Sequence, residues 1–120
     1  MAPLSTIPHW EREIRQWTDL HVVVLHGNSA SRTLLKKYEW TTERGNFDIL
    51  LTTYEIVLTE AEQLASIEWT GLIVDEAHRL KGKKSKLSEM LRSMKFGCKV
   101  LLTGTPLQAC CFCVCFDSLE

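Results

Sequence analysis

No glycine-rich phosphate loop is present in this sequence. Its six glycines stand apart, at Gly27, Gly45, Gly71, Gly82, Gly97 and Gly104, and none opens a G-x-x-x-x-G-K-[ST] run. Long apolar runs are also missing. No stretch reaches the roughly 20 residues of a membrane-spanning helix. The start, MAPLSTIPHWERE, lacks the basic and then apolar regions of a secretory signal, so a cytosolic or nuclear compartment is expected. Neither sign of charge dominates. With 14 basic and 15 acidic residues the formal net charge is -1, so bulk charge does not advertise a nucleic-acid partner, although a local basic stripe can act alone. The five cysteines do not form two ligand pairs set apart in the chain. Cys110, Cys111, Cys113 and Cys115 crowd into the single run CCFCVC, which argues against zinc. There is no internal repeat.

What remains is a chain of 120 residues, 45% hydrophobic and 24% charged, enough for one compact domain with one core. STIPHWEREIRQW reads as a helix start, with Ser5 or Thr6 as cap, Pro8 in the first turn, and Trp10, Ile14 and Trp17 on one apolar face. His21 to Gly27 reads as a buried strand ended by glycine. Ser29 to Trp40 follows as a helix, with Leu34, Leu35 and Tyr38 on one side. Asp48 to Thr52 is a second strand and Tyr54 to Leu64 a further helix. Trp69 to Val74 is apolar without alternation, as in a strand covered on both faces. A basic loop, KGKKSK, leads to a helix from Leu87 to Met94, and CKVLLTG closes the series as a fourth strand. Alternating helices and strands predict an α/β fold with a parallel sheet and right-handed crossovers.

Asp75 and Glu76 follow directly on the third strand, at the carboxyl edge where parallel sheets bind ligands. An aspartate there can hold magnesium through water, and a neighbouring glutamate can orient and deprotonate the water that attacks a γ-phosphate. Acidic residues in this position also serve as plain caps of the next helix. His78 is placed to bond across to a neighbouring strand end. LLTGTPLQ, Leu101 to Gln108, ends another strand, and its Thr103 and Thr105 are candidates to meet His78 or the acidic pair. A glycine-proline turn is the simpler reading of that loop.

Together these pieces resemble the SNF2 family of helicase-like, ATP-dependent chromatin remodellers. DEAHRLK, Asp75 to Lys81, matches motif II of that family, and LLTGTPLQ matches motif III. PLSTIPHWEREIRQW, Pro3 to Trp17, is similar to the segment through motif Ia, and DILLTTYE, Asp48 to Glu55, to the strand and turn before motif II. The run to HVVVLHG, with KKYEW, has the flavour of the chromodomain-helicase-DNA-binding group. DEAH alone is a weak signal; four blocks in order over Pro3 to Gln108 are specific.

The resemblance implies a RecA-like first helicase lobe, incomplete over residues 1–108, with a divergent Cys-rich tail over 109–120. It implies that Asp75 holds magnesium, that Glu76 polarises the attacking water, and that His78, Thr103, Gly104 and Thr105 couple hydrolysis to DNA movement. It implies contacts from Ser5, Thr6, Thr52 and Thr53 to the DNA backbone, where hydroxyls position without reading bases; a helix cap or turn hydroxyl is the alternative for each. ATP is the implied substrate with Mg2+, double-stranded DNA or a nucleosome the partner, and the nucleus the compartment.

The family's phosphate-binding lysine loop lies upstream of Pro3, and its second lobe, with the arginine fingers, lies downstream of Gln108. At Gln108 the family pattern gives way to ACCFCVC, as expected of a truncated product, an alternative splice end or a gene-model error. The isolated chain is therefore expected to be catalytically inactive and to bind neither ATP nor Mg2+ tightly. An inactive DNA- or protein-interaction fragment is the alternative function, with Arg79, Lys81, Lys83, Lys84 and Lys86 as a basic patch. An unrelated small nucleotide-binding protein is the third, and the missing phosphate loop argues against it. Removal of the tail is expected to leave melting unchanged or to improve solubility.

Overall fold

A computed structural model describes residues 1–39, 46–80 and 86–104. The chain forms two compact units, Ala2–Thr59 and Met1 together with the residues from Glu60 onward.

The first unit begins with a 3-10 turn, Leu4–Thr6, that runs into helix α1, Ile7–Trp17. Strand β1 (Val22–Leu25), helix α2 (Ser29–Glu39), strand β2 (Ile49–Thr52) and helix α3 (Tyr54–Thr59) follow. β1 and β2 pair in parallel, from Val22 opposite Ile49 to Leu25 opposite Thr52. Asp48 holds this register at its start, where its Oδ2 accepts the His21 amide at 2.8 Å. Ala2, Ile7, Val22 and Leu51 form a buried cluster against which Trp10, Ile14, Val24 and Ile49 pack. Ile7, Val22 and Leu51 each contribute about 1.5–3 kcal/mol through removal from water. Gly27 takes φ 102, a left-handed conformation that suits glycine and turns the chain out of β1. Asn28 then caps α2, its Oδ1 accepting the Ser31 amide at 2.8 Å.

The second unit holds helix α4 (Ala61–Ala65), strand β3 (Trp69–Val74), a 3-10 turn (Ala77–Leu80), helix α5 (Lys86–Ser93) and strand β4 (Phe96–Leu101). β3 and β4 are parallel, from Trp69 opposite Phe96 to Val74 opposite Leu101. Leu64, Ile67, Val74, Leu87, Leu91 and Met94 are its buried apolar residues. Met1 adds a short parallel bridge to β3: its α-amino nitrogen donates to the Ile73 carbonyl at 2.6 Å, and the Asp75 amide donates to the Met1 carbonyl at 2.9 Å.

That bridge makes stability depend on pH. Burial lowers the Met1 α-amino pKa from 8.0 to about 6, and the nearby Asp75 charge only partly opposes it. A chain unfolded with an ordinary amine binds the proton first as pH falls. Stability is therefore full above pH 8, falls between pH 8 and pH 6, and levels off below. Thermal melts of the 120-residue chain with a free α-amino group should show a loss of about 1–2 kcal/mol across that window, discounted for residual solvent screening. Acetylation of the α-amine should flatten the dependence, and an unchanged slope after acetylation would remove Met1 as its source.

Several expectations are corrected. The expected Tyr54 to Leu64 helix is two helices, α3 and α4, divided at Thr59–Glu60. Neither Ser5 nor Thr6 caps α1 with its side chain. Ser5 is exposed within the 3-10 turn, and the Thr6 hydroxyl donates back to the Pro3 carbonyl at 3.0 Å. Trp17 does not join the apolar face; it is 75% exposed and its indole Nε1 donates to Glu13 at 3.0 Å. Leu34 and Tyr38 face solvent, leaving Leu35 as the inward apolar residue of that set. β3 is not covered on both faces, since Ile73 remains 53% exposed while Val74 is fully buried. β1 and β2 form one two-stranded sheet, β3 and β4 another. Trp40, most of the KGKKSK loop, Thr105 and the 109–120 tail lie outside the described residues.

Candidate functional site

The acidic pair sits where β3 leaves its ladder. The Leu102 amide donates to the Val74 carbonyl at 2.7 Å, as in a regular parallel pair. The next regular donor to the Leu102 carbonyl would be the Glu76 amide. The Ala77 amide takes that place instead, at 2.7 Å, so one residue is inserted in the manner of a bulge. Glu76 absorbs the insertion with φ 51, a left-handed conformation that costs a non-glycine residue on the order of 1 kcal/mol. Two local bonds hold it there. The Glu76 amide donates to Asp75 Oδ1 at 2.9 Å, and its carbonyl accepts the Arg79 amide at 3.0 Å, which opens the 3-10 turn.

Asp75 and Glu76 thus stand as consecutive carboxylates at the carboxyl end of a parallel strand, with their backbones in different conformations. Asp75 offers hard oxygen donors, the type magnesium takes, and the bond from the Glu76 amide sets the rotation of that carboxylate. Among the described residues no three His, Cys, Asp or Glu side chains gather as a metal cage. A single carboxylate acting through water suits magnesium better than a cage of that kind.

His78, in the 3-10 turn, places Nδ1 2.9 Å from Glu76 Oε2. The separation is that of an ion pair, yet no aligned hydrogen bond forms at Nδ1, so the contact is close but poorly directed. Gly104 flanks the other carboxylate oxygen. A Cβ at Gly104 would stand 3.5 Å from Glu76 Oε1, an ordinary contact distance. Thr103 is half-buried after the end of β4. The second unit therefore brings together Asp75, Glu76, His78 and Gly104.

Ser5, Thr6, Thr52 and Thr53 belong to the first unit. Thr52 and Thr53 are buried, and the Thr52 hydroxyl donates to the Leu25 carbonyl at 2.8 Å, so in this conformation it tethers β2 to β1. Ser5 is the exposed hydroxyl of the four. Sequence reading did not anticipate the Leu102 backbone, whose two hydrogen bonds create the bulge under Glu76. Its one legible signal was the adjacency of LLTG to a strand end.

The SNF2-related domain model matches residues 1–111, most of the chain. The chain belongs to the SNF2-related domain family. Human chromodomain-helicase-DNA-binding protein 7 is 49% identical over 117 residues, covering 90% of this chain and 4% of that protein. Human chromodomain-helicase-DNA-binding protein 8 is 47% identical over the same share of each. The mouse chromodomain-helicase-DNA-binding protein 6 is 45% identical, again over 117 residues. Among solved structures, the Sulfolobus solfataricus SWI2/SNF2 ATPase core in complex with double-stranded DNA matches with a TM-score of 0.72 and 30% identity, over 88% of this chain and 20% of that one. This SNF2-related segment is thus a parallel α/β fold of the ATPase-core type and spans a small part of the length of each relative. No helix among its described residues is long and apolar enough to cross a membrane.

Proposed function

We propose that this SNF2-related segment is part of the first RecA-like lobe of an ATP-dependent DNA translocase that remodels chromatin in the nucleus, with residues 1–108 as the partial lobe and 109–120 as an appended tail. The observation that carries the reading is the pair of carboxylates, Asp75 and Glu76, displayed by a bulge at the carboxyl end of β3. Asp75 would hold Mg2+, which when bound neutralises charge on the phosphates of ATP. Glu76 takes the proton of the attacking water as general base. His78 and the loop from Thr103 through Gly104 to Thr105 link that carboxylate to movement on DNA. Ser5, Thr6, Thr52 and Thr53 are proposed to lie along the DNA backbone, with Ser5 the most accessible.

The isolated chain is proposed to turn over little or no ATP. Its share of the relatives supports this: it spans 20% of the matched ATPase-core chain. An arginine finger alone is worth about 10³–10⁵ in rate, and phosphate-loop amides and lysine supply the nucleotide's main cradle. On this second reading the chain by itself is an interaction fragment. The test is a chimaera in which residues 1–104 replace the matching segment of human chromodomain-helicase-DNA-binding protein 7. DNA-stimulated ATP hydrolysis by the chimaera supports the enzyme reading, and a folded chimaera with no hydrolysis defeats it.

The basic patch gives a separate expected result. Changing Lys83, Lys84 and Lys86 to glutamine should weaken binding of the chain to duplex DNA at all sequences alike. The slope of log affinity against log salt should shrink by about 0.9 for each phosphate that is no longer neutralised. Unchanged affinity and slope would remove these lysines as a contact to DNA.

A further inference from the structure

Trp17 closes α1 and is the most exposed large hydrophobic residue of the described chain. Its polar handle is already satisfied within the helix, because Nε1 donates to Glu13 Oε2 at 3.0 Å, while the ring stays in water. That bond fixes the indole and sets a carboxylate beside it. The same bond is the main reason the Glu13 carboxyl is held below its ordinary value of 4.5, so its charge persists. Thr18 then turns the chain out of the helix. Its amide and its hydroxyl both donate to the Ile14 carbonyl, at 2.9 and 2.8 Å, and the Leu20 amide donates to the Thr18 hydroxyl at 3.3 Å. Asp19 and Leu20 follow, both exposed. Among the described residues Asp19 has no hydrogen bond or ion pair. The guanidiniums nearby are engaged, Arg15 with Glu11 at 3.0 Å and Arg12 with Glu13 at 3.3 Å. Asp19 is thus the carboxylate left unmatched at this end of α1. The carboxyl end of a helix carries partial negative charge, and so does the face of an indole ring. All three features attract a cation, and none attracts a phosphate.

We propose that the end of α1, with Trp17, Asp19 and Leu20, is a docking surface for a basic peptide. A lysine or arginine head of the peptide lies over the Trp17 ring within reach of Asp19, and its methylene stem packs against Leu20. The ring is held by Glu13 before the partner arrives, so little rotamer freedom is lost on binding. The sign of the local charge selects a basic protein segment over a nucleic acid. The surface stands apart from the acidic pair after β3 and does not depend on the reading of the chain as an ATPase.

The test is a titration of the 120-residue chain, labelled for proton–nitrogen spectra, with a short peptide of alternating lysine and alanine. The Trp17 indole N–H signal, identified by its loss in Trp17→Phe, should shift together with the amides of Thr18, Asp19 and Leu20, and the shifts should saturate. Trp17→Ala should weaken the peptide about tenfold, and Trp17→Phe by less. Asp19→Asn should weaken it about threefold. Both side chains are exposed, so the melting midpoint should hold in all three variants. Acetylation of the peptide's lysines should abolish the shifts, because it removes the cation. Equal affinity in Trp17→Ala and the parent would overturn the proposal. So would shifts that spread over the chain's other carboxylates without saturating, or a Trp17 shift produced by duplex DNA and not by the peptide. Should Trp17→Ala lower the melting midpoint, Asp19→Asn and the acetylated peptide decide, and indifference of binding to both would sink the idea.

Discussion

Glu76→Gln in the chimaera should lower ATP hydrolysis by about 10²–10⁴ while leaving nucleotide binding nearly intact. Glutamine keeps the size of glutamate and can still hydrogen-bond. It cannot accept the proton of the attacking water, and it lacks the charge that polarises that water. The backbone strain at φ 51 is common to both residues, so the fold should not distinguish them. Asp75→Asn should behave differently, because on the proposed reading it weakens the ligand for magnesium and so disturbs binding and turnover together. In the isolated chain both substitutions should be kinetically silent. Steady-state phosphate release with and without DNA, on chain and chimaera, reads all of these outcomes. Hydrolysis by the isolated chain well above background, abolished by Glu76→Gln, would refute the proposal that the 120-residue segment by itself turns over little or no ATP.

Leu25→Ala should be the most damaging single change to the first unit. Leu25 is 0% exposed and closes the β1 ladder opposite Thr52, whose hydroxyl donates to the Leu25 carbonyl. Truncation leaves a cavity beside that bond, at a cost of about 2–5 kcal/mol. Such a loss is a large fraction of the stability of a typical domain, about 5–15 kcal/mol. Ile73→Ser is the matched contrast, because Ile73 is more than half exposed. It should alter stability by about 0.5 kcal/mol or less. Urea denaturation of the three proteins would decide, and equal midpoints for Leu25→Ala and the parent would show that the β1 ladder is not part of the cooperative core.

These expectations draw on different levels of information. The order of helices and strands was legible from apolar runs and helical spacing. β-Branched VVVL, followed by Gly27, forms β1 because compact apolar residues suit a covered strand and glycine suits the turn at φ 102. The parallel pairings followed from strands separated by helices. The acidic pair at the end of β3 was legible because its neighbours belong to an apolar strand.

Other features depended on tertiary contacts. Spacing alone put Trp17, Leu34 and Tyr38 among inward residues, yet each faces solvent. A helical face is buried only where another element meets it, and Trp17 lies at the last turn of α1, beyond the cluster around Ile7 and Val22. The hydroxyls of Thr6 and Thr52 turned to carbonyls nearby, which no residue pattern distinguishes from a phosphate contact. The amino acids alone determined that two carboxylates would follow β3. Only the approach of Leu102 from β4 decided how they stand, because its two backbone bonds admit one extra residue and force Glu76 into the left-handed region, beside His78 and Gly104.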